Sequence, residues 1–186
     1  MADTATTIIP GYIVGTWTLD PVHSDVSFSV RHLMVSKVRG RFTVLEGEIV
    51  TAENPLASSV TATIDLNSIV TGAEGRDAHL RSVDFFDVAN HPTMTYRSTG
   101  LRTSGDGFVL DGTLTLHGVT KTVPLKLEVN GFQANTPMGT RVGFSATGDI
   151  SRSDFGIEFN MPLEGGGVVV GDKVSINLEI EGILNS

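Results

Sequence analysis

Apolar and polar side chains alternate with a period of two over most of this chain. Between Ser24 and His32, Val26, Phe28 and Val30 share one parity, and Asp25, Ser27, Ser29 and Arg31 share the other. Successive side chains of a strand point to opposite faces, so this stretch predicts a one-faced strand with His32 on the parity of the hydrophobes. A short corner over 33–37 follows, and Val38, Gly40 and Phe42 resume the pattern. Phe42 and Val44 then share one parity while Gly47 and Ile49 share the other, which predicts a bulge near Val44–Leu45.

The same alternation recurs in Trp17 and Leu19, in Val60, Ala62, Ile64 and Leu66, and from Met94 to Tyr96. It returns in Phe108–Leu116, Val123–Val129, Val142–Ile150 and Val174–Ile180. Turn residues separate the runs: Asp20-Pro21, Glu53-Asn54-Pro55, Ser104–Gly107 and His117-Gly118. Asn130-Gly131 and Asn135–Gly139 read as punctuation of a longer connection, Gly165–Gly167 as a flexible loop, and Arg152–Phe159 as a loop or one helical turn. Gly72–Ser82 breaks the alternation and predicts a short helix with Leu80 and Val83 as its buried contacts. Residues 1–14 read as a loose lead-in, and residues 15–184 as one domain.

About eight or nine one-faced strands joined by short links should pair antiparallel and bury their apolar face by closing into a barrel. A barrel of about eight strands either holds one small ligand or is filled by its own side chains. Gly40, Ala62, Gly112, Ala146 and Gly148 on the inner parity would leave open volume, or would mark kinks of a curved sheet. The pattern leaves both readings open.

Composition narrows the function. The chain has 186 residues, 21 of them glycine, and a net charge of −8. That charge argues against a nucleic-acid partner and against broad attachment to anionic membranes. The absence of cysteine excludes disulfides, thiolate metal sites and thiol nucleophiles. No window approaches the ~20 apolar residues of a membrane span, and the N-terminus has no signal-peptide pattern. The expected compartment is the cytoplasm, or the periplasm or exterior for a chain trimmed of its leader.

Motifs for chemistry are scarce. His23, Ser24, Asp20 and Asp25 are neighbours in sequence, but there is no Gly-x-Ser-x-Gly elbow, and turn capping accounts for them. His23, His32, His79, His91 and His117 show no metal-binding spacing, and Gly165–Gly167 follows no nucleotide fingerprint. Arg76 and Arg81 flank the predicted helix and read as solvated arginines or as contacts to an anionic head group.

Four motifs together carry a resemblance. Asp20-x-x-His23-Ser24-x-Val-x-Phe28-x-Val30-x-His32 leads into Val38-x-Gly40-x-Phe42. Gly75-Arg-Asp77-x-His79-Leu80-Arg81 leads into Asp84-Phe85-Phe86-Asp87 and Pro92. Gly112-x-Leu114-Thr115-Leu-His117-Gly118 and Arg152-x-Asp154-Phe155-Gly156 complete the set. In this order, from about Thr16 to Gly182, they resemble the YceI-like family. The resemblance implies a lipocalin-like antiparallel barrel with a long apolar cavity for polyisoprenoid chains such as isoprenoid quinones, serving transport, storage or sequestration rather than catalysis. It maps the family's apolar motif positions to Phe28, Val30, Phe42, Leu80, Phe85, Phe86, Leu114 and Phe155. Parity adds Ala62, Ile64, Met94, Phe144 and Ala146 as inward positions, with His32 as the polar group that would orient a head. No catalytic residue, metal or cofactor beyond the bound lipid is expected, nor stable membrane insertion; homodimerisation is left open. Two rival readings remain: an enzyme acting on the lipid with His32 as acid or base, and a filled barrel acting as an interaction or stress module.

Overall fold

A computed structural model of the chain describes residues 8–186, so the first seven residues of the expected lead-in lie outside the described residues. In chain order the elements are β1 (Gly15–Leu19), β2 (Asp25–His32), β3 (Ser36–Phe42), β4 (Leu45–Thr51), β5 (Ser59–Asp65) and β6 (Ile69–Val70). Then come the helix α1 (Glu74–Arg81), β7 (Thr93–Ser104), β8 (Gly107–Leu116), β9 (Val119–Thr122), β10 (Leu125–Thr136), β11 (Gly139–Ser151) and β12 (Val170–Leu184). All pairing is antiparallel, and β12 pairs with β1 as well as with β11 and β2.

The twelve strands fill eight positions of an up-and-down barrel, because four positions are each split between two strands. β1 and β2 share the first, both lying against β12, and β3 and β4 share the second. β5 and β6 share the third, and β9 and β10 both flank β8. Closure joins Trp17 to Leu184 across the β1–β12 seam and leaves the barrel without a free edge there.

Each break has a local cause. Between β3 and β4, the Ser68 hydroxyl accepts the N–H groups of Thr43 and Val44, each at 3.1 Å, and donates to Asp65 O at 2.6 Å. This is the predicted phase change, one residue early: Leu45 is buried and Val44 points out, 53% exposed. Between β9 and β10, Pro124 has no N–H to give to a ladder. At Asn130-Gly131 the sequence predicts a connection, but β10 runs straight through. The register shift between Val129 and Gly131 is a bulge, and only a tight turn separates β10 from β11.

The inner glycines also differ from the expectation of open volume. A Cβ on Gly40 would sit 2.5 Å from the tip of the Phe28 ring, and one on Gly112 would sit 2.4 Å from Tyr96 Oη. A Cβ on Gly148 would meet Leu125 Cδ2 at 2.7 Å. Neighbouring side chains already occupy these gaps. The helix is where the pattern places it, but its buried residue is Asp77, which accepts the Thr71 N–H at 2.9 Å and the Thr71 hydroxyl. Val83 is instead 75% exposed, because the chain turns outward after Ser82.

Candidate functional site

The barrel is hollow. A cavity of about 280 Å³ runs inside it, and its wall presents almost no polar surface. Along β12 the lining residues run from Val170 to Ile180, roughly 30 Å at ~3.3 Å per residue. The shape is a bore rather than a round pocket.

The wall follows from register. On β2 and β3, Phe28 faces Gly40 and Val26 faces Phe42, and Val30 follows on the same side. Across β5, β7 and β8, Ile64 faces Met94, and Ala62 faces Tyr96, which faces Leu114. On β11, Phe144 sits between Val129 and Ile180, and Ala146 sits between Leu127 and Leu178. At the end covered by α1, Leu80 projects from the helix and Phe85 and Phe86 from the turn behind it. Phe86 meets Phe42 edge-on with ring centres 5.9 Å apart, and Phe85 packs against Phe159 at 5.2 Å. Twelve of the fourteen residues singled out from sequence therefore line the bore.

His32 and Phe155 do not line it. His32 is the last residue of β2, opposite Ser36 and Val170, where β12 shifts register and the hairpin turn begins. Its parity is that of the apolar set, but it stands level with Val170, where the cavity ends, and only Val170 of that pair reaches the wall. Phe155 is 1% exposed in a 3-10 turn, Arg152–Phe155, and belongs to the packed core; its carbonyl accepts His117 Nδ1–H at 2.9 Å.

Several wall residues carried no periodic signal. Ile9 and Tyr12, from the expected lead-in, line the opposite end with Pro55 and Ser58. Tyr12 is fixed there by its hydroxyl, 2.7 Å from Ala52 O and 3.0 Å from Ser58 Oγ. Arg152 is the only charged residue on the described wall. Its guanidinium donates to four backbone carbonyls, those of Ile157, Phe159, Val170 and Gly171, at 2.9–3.3 Å. Burial lowers its pKa from the ordinary arginine value. The charge is thus spent on fastening the 157–171 segment, and the bore receives the carbon stem. Tyr96 is likewise engaged, donating to Val123 O at 2.9 Å; burial, with Asp111 nearby, pushes its phenol up to about 12, so it stays neutral.

Two side-chain clusters lie outside the bore. Asp20, His23 and Glu181 converge, but Arg141 bonds both carboxylates, so a cation already occupies that position. Asp87, His91 and His117 bring one ligand atom each within 4.8 Å of the others, a donor set that suits a small divalent transition metal. The Asp87 carboxylate accepts both its side-chain bonds from the Asn90 amide, at 2.9 and 3.1 Å, which gives the cluster a turn-forming role.

These features define a closed, meandering β-barrel with an apolar bore. The YceI-like domain model matches residues 17–182, and the chain belongs to this family. A UPF0312 protein of Staphylococcus epidermidis is 38% identical over 167 residues, covering 89% of this chain and 95% of the relative. A UPF0312 protein of Pseudomonas paraeruginosa is 38% identical over 163 residues, covering 87% and 82%. Among solved structures, the YceI protein of Campylobacter jejuni superposes with a TM-score of 0.67 at 29% identity, covering 81% of this chain and 87% of its own. A polyisoprenoid binding domain from Saccharophagus degradans gives 0.68 at 21% identity, covering 93% and 100%. BcnA of Burkholderia cenocepacia gives 0.73 at 22%, covering 88% and 98%. At those two identities the likeness is one of fold. No described helix is long and apolar enough to cross a membrane.

Proposed function

We propose that this protein binds a long-chain apolar molecule of the polyisoprenoid type within the barrel and carries or sequesters it. The observation that supports this reading most is the bore itself, long, narrow and almost without polar surface. Burial at ~25 cal/mol per Å² would supply most of the affinity. The description of the Saccharophagus degradans neighbour as a polyisoprenoid binding domain agrees with it. The guanidinium and the two phenols on the wall are committed: Arg152 to backbone carbonyls, Tyr96 to Val123 O and Tyr12 to Ala52 O. A ligand's polar head therefore sits at an end of the bore, and the tail fills it. The same commitments favour binding over catalysis, because among the described residues the wall presents no histidine or carboxylate to act as a base. Native mass spectrometry of the purified chain, with organic extraction and titration of a fluorescent polyprenyl probe, tests the reading. It expects a co-purifying long-chain lipid or saturable uptake; protein that shows neither overturns it.

A further inference from the structure

The β2–β3 hairpin carries a surface that ligand burial does not use. Its outward face presents Arg31, Lys37, Arg39 and Arg41, all exposed. Arg31 lies directly opposite Lys37, and Arg39 and Arg41 lie opposite Ser29 and Ser27. None of the four makes an ion pair among the described residues. Like charges placed opposite each other weaken a sheet, so folding gains nothing from this arrangement. In a chain of net charge −8 the hairpin is a local inversion of sign.

The tip adds a second, independent oddity. Leu33, Met34 and Val35 are consecutive and 40%, 55% and 80% exposed. Val35 N–H donates to His32 O at 3.2 Å, closing a turn whose two central residues, Leu33 and Met34, have φ of 50° and 61°. A turn with two left-handed residues favours Asn-Gly, and bulky side chains there are strained. The chain thus holds large apolar groups in water, on a backbone that does not suit them. Met161, 53% exposed, belongs to the segment next to the tip: Val169 N–H donates to Met161 O, and Leu33 N–H donates to Val169 O at 2.9 Å.

We propose that this hairpin docks the barrel on an anionic lipid bilayer, with Leu33, Met34 and Val35 in the interface and the four cations over the phosphates. Charge complementarity selects an anionic surface, and the apolar tip selects a bilayer. A stable protein partner would need ~800 Å² per side, more than a three-residue tip offers. The outward face of the hairpin has no aromatic to stack on nucleic-acid bases. Arg31 sits between Val30, which lines the bore, and His32 at its end, so a docked tip brings that end of the cavity to the acyl chains. The acidic remainder keeps the rest of the molecule off the surface.

The test is co-sedimentation of the full chain with vesicles of phosphatidylcholine alone or mixed with phosphatidylglycerol. Binding is expected to the anionic vesicles only and to fall with added salt. Arg31→Glu with Arg39→Glu should lower it by about tenfold or more. Leu33→Asn with Met34→Gly installs the dipeptide the turn favours; it should raise Tm or leave it unchanged while vesicle binding falls. No binding to anionic vesicles by the unmodified chain overturns the proposal. So does undiminished binding by either variant, and so does a fall in Tm for the tip variant, which would make the tip a folding element. Uptake of the polyprenyl probe from detergent by the same variants should be unchanged, which separates failure to dock from failure of the bore to bind.

Discussion

Asp20 sits where β1 bends into β2, and its carboxylate ties that bend to the far side of the seam. One oxygen accepts the Val22 N–H at 2.9 Å; the other accepts His23 Nδ1–H at 2.7 Å and Arg141 at 2.5 Å, and Arg141 also reaches Glu181 at 2.8 Å. Burial alone would raise its pKa, but the bonds from His23, Arg141 and Val22 outweigh it and hold the carboxyl at about 2 against an ordinary 3.8. The folded value lies below the unfolded one, so the stabilisation is fully present above about 3.8 and lost as pH falls through about 2. Asp20→Asn should cost about 2 kcal/mol at neutral pH, read by urea unfolding. The gap between the two proteins should narrow below pH 3.8 and close toward pH 2. Gly40 gives a second residue-scale expectation. Gly40→Ala places a methyl against the Phe28 ring and should cost about 1–3 kcal/mol. Adding Phe28→Leu should recover part of that loss, so the two changes measured together cost less than their sum.

At the scale of elements, β11 provides the sharpest test of the bore. Ala146 is flanked by Leu127 and Leu178 and lines the cavity. Ala146→Trp should abolish uptake of the polyprenyl probe while ligand-stripped protein keeps its cooperative thermal transition. Loss of the transition would mean that the indole finds no room there. Strand parity made most of this wall legible in advance: Val26, Phe28 and Val30, or Phe144 and Ala146, point inward because a regular strand leaves them no choice. Parity says nothing about where a cavity stops, and that is why His32 falls outside it. Nor does it show that Gly40, Gly112 and Gly148 are filled from neighbouring strands, since those contacts depend on pairing. Residues without a period were least legible. Tyr12 and Arg152 act through hydrogen bonds to backbone groups that only the folded chain brings within reach, and Phe155 through packing of a short turn, none of which leaves a trace in local sequence.

For the whole molecule, a bore lined from end to end by apolar side chains makes stability a function of loading. A ligand that binds only the closed barrel, at about a hundred times its Kd, adds ~2.7 kcal/mol. For a chain of this size that corresponds to a rise in Tm of about 5–10 °C. Differential scanning calorimetry before and after organic stripping should show the difference, and adding back a polyprenyl probe should restore it. Equal transitions for loaded and stripped protein would place the ligand on the surface rather than inside.

The seam between Trp17 and Leu184 also governs when the molecule can be finished. Among the described residues, six of the twelve strand pairs join strands consecutive in the chain, and these can form as soon as both strands exist. The pairing of β12 with β1 and β2 joins the two ends of the domain, and loop closure over that distance is slow. During synthesis, β1 and β2 must wait with one side unpaired until the last strand leaves the ribosome. That exposed side is an invitation to mispair with another chain. The chain has a single tryptophan, fully buried at this seam. Its fluorescence therefore reports the last event of folding, the moment at which a curled sheet becomes a tube.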